Sequence, residues 1–142
     1  MRCEEIMKRD VECVGPQDTA RDAALKMRDS NVGFLPVCDE SRRVLGTLTD
    51  RDLAIRLIAS NRSPSTAISD LMTREVVFCR PIDDLHRAEQ LMAQNHKSRI
   101  LCCDDGGRLV GIISLSDVAQ HEEDRELADT VRHVTEREAH PV

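Results

Sequence analysis

Gly46-Thr47-Leu48-Thr49-Asp50-Arg51-Asp52 returns 65 residues later as Gly111-Ile112-Ile113-Ser114-Leu115-Ser116-Asp117. Both copies follow one plan: a glycine, two residues closing a strand, a hydroxyl, two spacers and an aspartate. The same offset aligns Met7 with Met72, Arg9 with Arg74, Val11 with Val76, Pro16 with Pro81 and Asp18 with Asp83. It goes on to match Ala23, Met27, Cys38, Asp39, Arg43 and Ala54 with Ala88, Met92, Cys103, Asp104, Arg108 and Ala119. In all, 13 of the 49 positions from 6 to 54 are identical without a gap. Unrelated stretches of average composition would share roughly 3. The chain is an internal duplication, and function is to be sought in what two copies of the motif make.

At 142 residues, 40% hydrophobic and 32% charged, the chain has the size and composition of a globular domain with a real core. Phe34 and Phe78 are its only aromatic residues, so Leu, Ile, Val, Ala, Met and Cys must build that core. No apolar run approaches the roughly 20 residues of a membrane span, and the start Met1-Arg2-Cys3-Glu4-Glu5 lacks a signal-peptide core. The expected location is the cytoplasm. A net charge of −6 disfavours nucleic acid as a partner. The six cysteines contain no C-x-x-C, and most fall where Val, Ile or Phe would suit. They read as small buried hydrophobes in a reducing compartment, not as a metal site.

Taken in order, a helical turn at Glu4–Met7 leads into a strand over 11–14, stopped by Gly15-Pro16. Thr19 and Asp22 are spaced as a capping box for a helix whose stripe is Ala20, Ala23, Ala24 and Met27. Strands follow at 34–38 and 44–48. Pro36 inside the first of them argues for an edge or a bent backbone. Thr49 opens a second helix with Leu53, Ala54, Leu57 and Ile58 on one face. After the polar linker 61–66, the order repeats: a turn at 69–72, a strand at 76–79, a helix at 84–95 and strands at 99–103 and 109–113. A final helix is expected from Ser114 to about Glu136, with Val118, Leu127, Val131 and Val134 as a partial stripe and a frayed tail beyond. The division is 1–62 for the first repeat, 63–120 for the second, and 121–142 for a terminal helix and tail. The predicted fold class is mixed α/β (α+β), with two β-α-β-β-α repeats packed sheet to sheet about a pseudo-twofold axis. Pairing of edge helices further suggests a homodimer.

These residues carry a resemblance. Ile6-Met7 and Leu71-Met72-Thr73, Asp18-Thr19-Ala20 with Ala23 and Met27, Gly33-Phe34-Leu35-Pro36-Val37 and the two Gly-to-Asp motifs are similar to cystathionine-β-synthase (CBS) domains. The chain resembles a stand-alone CBS pair, or Bateman module, over residues 4–120. That implies the fold above, a dimer, and adenine-nucleotide binding in the clefts between the repeats.

Thr49-x-x-Asp52 and Ser114-x-x-Asp117 each follow a strand and open a helix, where unpaired N–H groups and a positive dipole meet the chain. A hydroxyl there can donate to a phosphate or ribose oxygen, and the carboxylate can accept from both hydroxyls of a ribose diol. The resemblance assigns Asp52 and Asp117 to the ribose, with Thr49 and Ser114 beside the sugar or phosphate. The plain alternative is a helix capping box that needs no ligand.

Arg99 is the best phosphate candidate, since a guanidinium matches phosphate with two parallel bonds. His96 and Lys97 lie next to it in sequence. A surface pair of Arg99 with Asp104 or Asp105 is the competing reading. Phe34, the counterpart of Arg99, could pack on an adenine face. The two sites are therefore chemically unequal. Pro36 marks the family's proline position, where the second repeat has Leu101. Adenine recognition in the family rests largely on backbone, which points to Val14, Gly15, Cys79 and Arg80.

No Ser/His/Asp arrangement, HExxH or P-loop is present, and His86, His121, His133 and His140 read as exposed. The expected activity is not enzymatic. It is regulatory: binding of AMP, ADP, ATP or an S-adenosylmethionine-like ligand, with no required cofactor or metal, and signalling to a separate effector protein. A ligand-free interaction module is the alternative reading, and a thiol sensor through Cys102 or Cys103 is a third.

Overall fold

The computed structural model describes residues 1–121 and 124–139, with side chains at 1–121 and 128–136. The chain forms two compact units, one of residues 12–76 and one of residues 1–11 with 77–142. The first unit is one full repeat period shifted by eleven residues, so a packing unit begins inside a sequence repeat.

In the 12–76 unit, Thr19 caps helix α1 (Ala20–Ser30) with the expected box, and Asn31 in the left-handed region ends it. Strand β1 (Phe34–Cys38) pairs antiparallel with β2 (Val44–Thr49), Phe34 opposite Thr49 and Pro36 opposite Thr47. Only Val14 of the expected 11–14 strand joins the sheet, by a parallel bridge to Val37. Thr73 closes the other edge: its N–H donates to the Thr47 carbonyl and its carbonyl accepts from Thr47 N–H, each at 2.9 Å. This arrangement explains Pro36. Thr47 directs both backbone groups away from β1, so a residue without an N–H costs the ladder nothing at that place. Leu35, Val37, Leu48, Ile68 and Leu71 form the core against Ala20, Ala23 and Met27 of α1.

Helix α2 (Asp50–Asp52) runs straight into a π-helical turn, Leu53–Ile58. The wider turn changes which positions share a face. Leu53 and Leu57 are buried, but Ala54 is exposed and Ile58 is 73% exposed. The expected four-residue apolar face is therefore only two residues wide.

The other unit repeats this plan with its first piece drawn from the chain's beginning. Lys8 pairs with Ile112 through N–H to carbonyl bonds of 2.9 Å in both directions, as Thr73 does with Thr47. Beside it lie β5 (Leu109–Ser114), then β4 (Arg99–Cys103), then β3 (Phe78–Cys79), which is parallel to β4. Leu101 sits opposite Ile112 in the register that Pro36 and Thr47 occupy, so the missing proline leaves the strand's path unchanged. Helix α3 (Leu85–Asn95) is capped by Asp84. Cys3 and Met7 complete this core with Leu85, Met92, Ile100, Ile113 and Val118.

The expected single terminal helix is two helices, α4 (Leu115–Ala119) and α5 (Asp124–Ala139). His121 N–H donates to the Val118 carbonyl and closes a turn between them. Helix α5 packs on α3. Val134 is buried there and Val131 is 36% exposed. The Leu127 side chain and the tail from His140 lie outside the described residues.

The duplicated glycines have a packing cause. A Cβ on Gly46 would stand 2.6 Å from the Thr73 carbonyl oxygen, and one on Gly111 would stand 2.6 Å from Met7 Sδ and 3.1 Å from the Lys8 carbonyl. Each glycine admits the crossing segment that carries the repeated methionine.

Candidate functional site

Both motifs form capping boxes. In the 12–76 unit, Thr49 N–H donates to Asp52 Oδ2 (2.9 Å) and Asp52 N–H donates to Thr49 Oγ1 (3.1 Å). In the other unit, Ser114 N–H donates to Asp117 Oδ2 (2.9 Å) and Asp117 N–H donates to Ser114 Oγ (3.2 Å). One carboxylate oxygen of each pair is thereby committed to the helix start. The second oxygen faces a cation: Asp52 Oδ1 lies 3.9 Å from Arg56 Nε, and Asp117 Oδ1 lies 3.7 Å from Lys8 Nζ. The two aspartate side chains are only 16% and 14% exposed.

Strand register places the remaining candidates beside these starts. Phe34 is opposite Thr49 and Arg99 is opposite Ser114. Paired residues of adjacent strands stand on one face, so each hydroxyl has its repeat's distinctive side chain alongside. Phe34 is half-buried and Arg99 is exposed. The competing reading of Arg99 is not realised: Asp105 pairs with Arg80, and Asp104 Oδ1 accepts the Gly106 and Arg108 N–H groups. His96 turns elsewhere, its Nδ1 2.7 Å from the carbonyl of His133 on α5.

Val14, Pro36 and Cys79 are buried in their sheets. Val14 N–H donates to the Pro36 carbonyl and the Val14 carbonyl accepts from Cys38 N–H. Gly15 and Arg80 N–H groups donate to Asp18 Oδ2 and Asp83 Oδ2, each at 2.8 Å. These backbone donors are thus occupied within the chain. An open groove of about 670 Å³ passes Val14 and Gly15 but is lined further by Asp18, Asp39 and Glu40, and not by Thr49 or Asp52. Its acidic wall is a poor place for phosphate.

Sequence reasoning missed Arg56 and Lys8. The four-residue spacing from Asp52 to Arg56 was a usable signal. Nothing in the pattern pointed to Lys8, which reaches Asp117 only because residues 1–11 pack with the second repeat's residues. Among the described residues, no group of three or more His, Cys, Asp or Glu is arranged to hold a metal ion.

The CBS domain family model matches twice, over residues 3–59 and 68–124. The chain belongs to the CBS-domain family. Its mixed α+β fold with two repeats agrees with that of solved CBS-pair proteins. The CBS domain-containing protein YhcV of Bacillus subtilis is 40% identical to this CBS pair over 124 residues, covering 87% of each chain. Hypoxic Response Protein I, solved with two coordinated zinc ions, superposes with a TM-score of 0.79 at 30% identity, covering 87% of this chain and 100% of that one. The cytosolic domain of the Mg2+ channel MgtE in complex with ATP gives a TM-score of 0.74 at 26% identity, over 84% of this chain and 48% of that one. This CBS pair thus spans about half of that domain.

Proposed function

We propose that this CBS pair is a non-enzymatic sensor that binds an adenosyl ligand and passes the signal to a separate effector protein. The observation that carries the reading is the twofold placement of a hydroxyl, a shielded carboxylate and a distinctive strand partner at a helix start. The ATP complex of the MgtE cytosolic domain supports it. In this reading a ribose diol donates to Asp52 or Asp117, with Thr49 or Ser114 alongside. Arg99 meets phosphate, and Phe34 covers an adenine face beside Pro36. Val14, Gly15, Cys79 and Arg80 border the base. A phosphorylated ligand prefers the Arg99 site, where Lys8 adds a second cation.

The protein would act in the cytoplasm, where free thiols are the resting state of its cysteines. It would act as a homodimer, with the exposed Ile55 and Ile58 giving apolar surface for a second copy. Among the described residues, no helix is long and apolar enough to cross a membrane. Any regulatory effect equals the ligand's differential affinity for two shapes of the module.

Isothermal titration with AMP, ADP, ATP and S-adenosylmethionine tests this reading, and light scattering tests the dimer. Absence of heat and of any thermal shift at millimolar ligand would dismiss it. One observation favours a second reading, a ligand-free interaction module: both carboxylates already have intramolecular partners for each oxygen. Asp52→Ala and Asp117→Ala separate the two. They abolish binding under the first reading and only lower stability under the second.

A further inference from the structure

We propose that Cys3, Cys79 and Cys102 form an oxidation site at which a hydroperoxide converts Cys3 and Cys79 into an intramolecular disulfide. The three sulfurs form one cluster in the 1–11/77–142 unit. Cys79 Sγ lies 3.6 Å from Cys3 Sγ and 3.4 Å from Cys102 Sγ. All three are free thiols, with residue exposures of 0%, 1% and 0%. They come from three places in the chain: the turn Cys3–Glu5, β3 and β4. A buried cysteine alone behaves as a small hydrophobe. Three in mutual contact provide both a nucleophile and a resolving thiol.

Cys3 is the nucleophile. Contact with Cys102 and Cys79 holds the Cys3 thiol below its ordinary value, and Cys79 directs its S–H at the Cys3 sulfur. The same cluster pushes the Cys79 and Cys102 thiols up, so a negative charge among the three falls on Cys3. The nearby Cys103 lies outside the cluster.

Cys3 thiolate attacks one peroxide oxygen, and the O–O bond breaks. The leaving alkoxide takes a proton from solvent, and Cys3 becomes a sulfenic acid. Cys79 sulfur then attacks Cys3 sulfur, and the S–O bond breaks. Hydroxide leaves as water with the Cys79 proton. Two thiols have given two electrons to one peroxide, which ends as an alcohol and a water.

The choice of Cys3–Cys79 over Cys79–Cys102 follows from the backbone. Cys79 and Cys102 are register partners on parallel strands. Cys3 sits in a short 3-10 turn outside that ladder, so it is freer to close from 3.6 Å to the ~2.05 Å of a disulfide. The turn is held by Cys3 N–H donating to the Asp83 carbonyl (2.8 Å) and Glu4 N–H donating to the Pro81 carbonyl (2.9 Å). With all three sulfurs buried, the reaction requires this turn to open, and the new bond then fixes the segment that carries Lys8 to the sheet.

The test uses the full chain. Reduced protein is treated with hydrogen peroxide at neutral pH, blocked with N-ethylmaleimide, digested without reduction and mapped by mass spectrometry. The expected product is a peptide pair joined through Cys3 and Cys79. It should persist in Cys103→Ser and vanish in Cys3→Ser. Recovery of Cys3 in the wild-type protein as a maleimide adduct, as a sulfinic acid or in a bond to another chain would overturn the proposal. So would a Cys79–Cys102 bond in its place. The wild-type map decides the matter even if Cys3→Ser fails to fold.

Discussion

Lys8 Nζ stands 3.7 Å from Asp117 Oδ1, whereas the residue at the matching place in the other repeat is Thr73, which has no charge to offer Asp52. Asp52 draws its cation from its own helix instead, and Arg56 also donates to the Leu71 and Met72 carbonyls at 2.9 and 3.1 Å. The two repeats therefore solve one electrostatic problem in different ways. The Lys8 side chain is 69% exposed, so Lys8→Met should change urea stability by less than about 1 kcal/mol. Arg56→Ala removes two further bonds and should cost more. A larger loss for Lys8→Met than for Arg56→Ala would contradict this ranking.

Removing either capping carboxylate has a definite cost. Asp52→Ala and Asp117→Ala should each lower unfolding stability by about 0.5–2 kcal/mol, measured by urea titration. Asp52→Asn and Asp117→Asn keep an acceptor for the Thr49 or Ser114 N–H and should lose less. Equal losses for Asn and Ala would show that the cap is not what the carboxylate supplies.

The strand partners Phe34 and Arg99 should divide ligand preference. Arg99→Ala should weaken ATP binding by about tenfold or more, since a charge-assisted bond is worth roughly 1.5–3 kcal/mol. It should leave adenosine binding nearly unchanged. Phe34→Ala should weaken both ligands alike at the other site. Calorimetric titration of the two variants checks the split.

The duplicated glycines should respond unequally to alanine. At Gly46 the clashing atom is the Thr73 backbone carbonyl, which is held in the sheet, while at Gly111 the nearest atom is the flexible Met7 Sδ. Gly46→Ala should therefore be the more destabilising in urea unfolding. Met7→Ala should recover part of the Gly111→Ala loss, in a double-mutant cycle with a favourable interaction energy. Additive losses would mean that Met7 is not the obstacle.

Burial pushes the Cys103 thiol up to about 11, from an ordinary value of 9.0. The folded chain therefore holds this proton after the unfolded chain has released it. Its contribution is complete below pH 9 and is lost as pH rises through 11. The loss at the upper end is on the order of 2 kcal/mol. Urea unfolding under reducing conditions should show the decline between pH 8.5 and 11, as rough working limits. Cys103→Ala should show a shallower one.

The duplicated motif, the helix ends at Thr19, Asn31, Asp84 and Asn95, and the strand cores at 34–38 and 99–103 were all legible in the sequence. Each rests on local rules: hydroxyl and carboxylate spacing, and an apolar run between polar breaks. The motif residues were legible too, together with their two competing roles, because capping and ribose contact ask for the same residue types.

Only the tertiary structure decided where residues 1–11 pack. That segment takes the place in one unit that 66–76 takes in the other, and a sequence period has no preferred starting point. From this follow the Lys8–Asp117 pair and the meeting of Cys3 with Cys79 and Cys102, residues 76 and more positions apart in the chain. The π-turn after Asp52 and the break between α4 and α5 were equally out of reach. A hydrophobic pattern reports a helix's average period, while a single wide turn or a closing bond at His121 is settled by what the neighbouring elements leave room for.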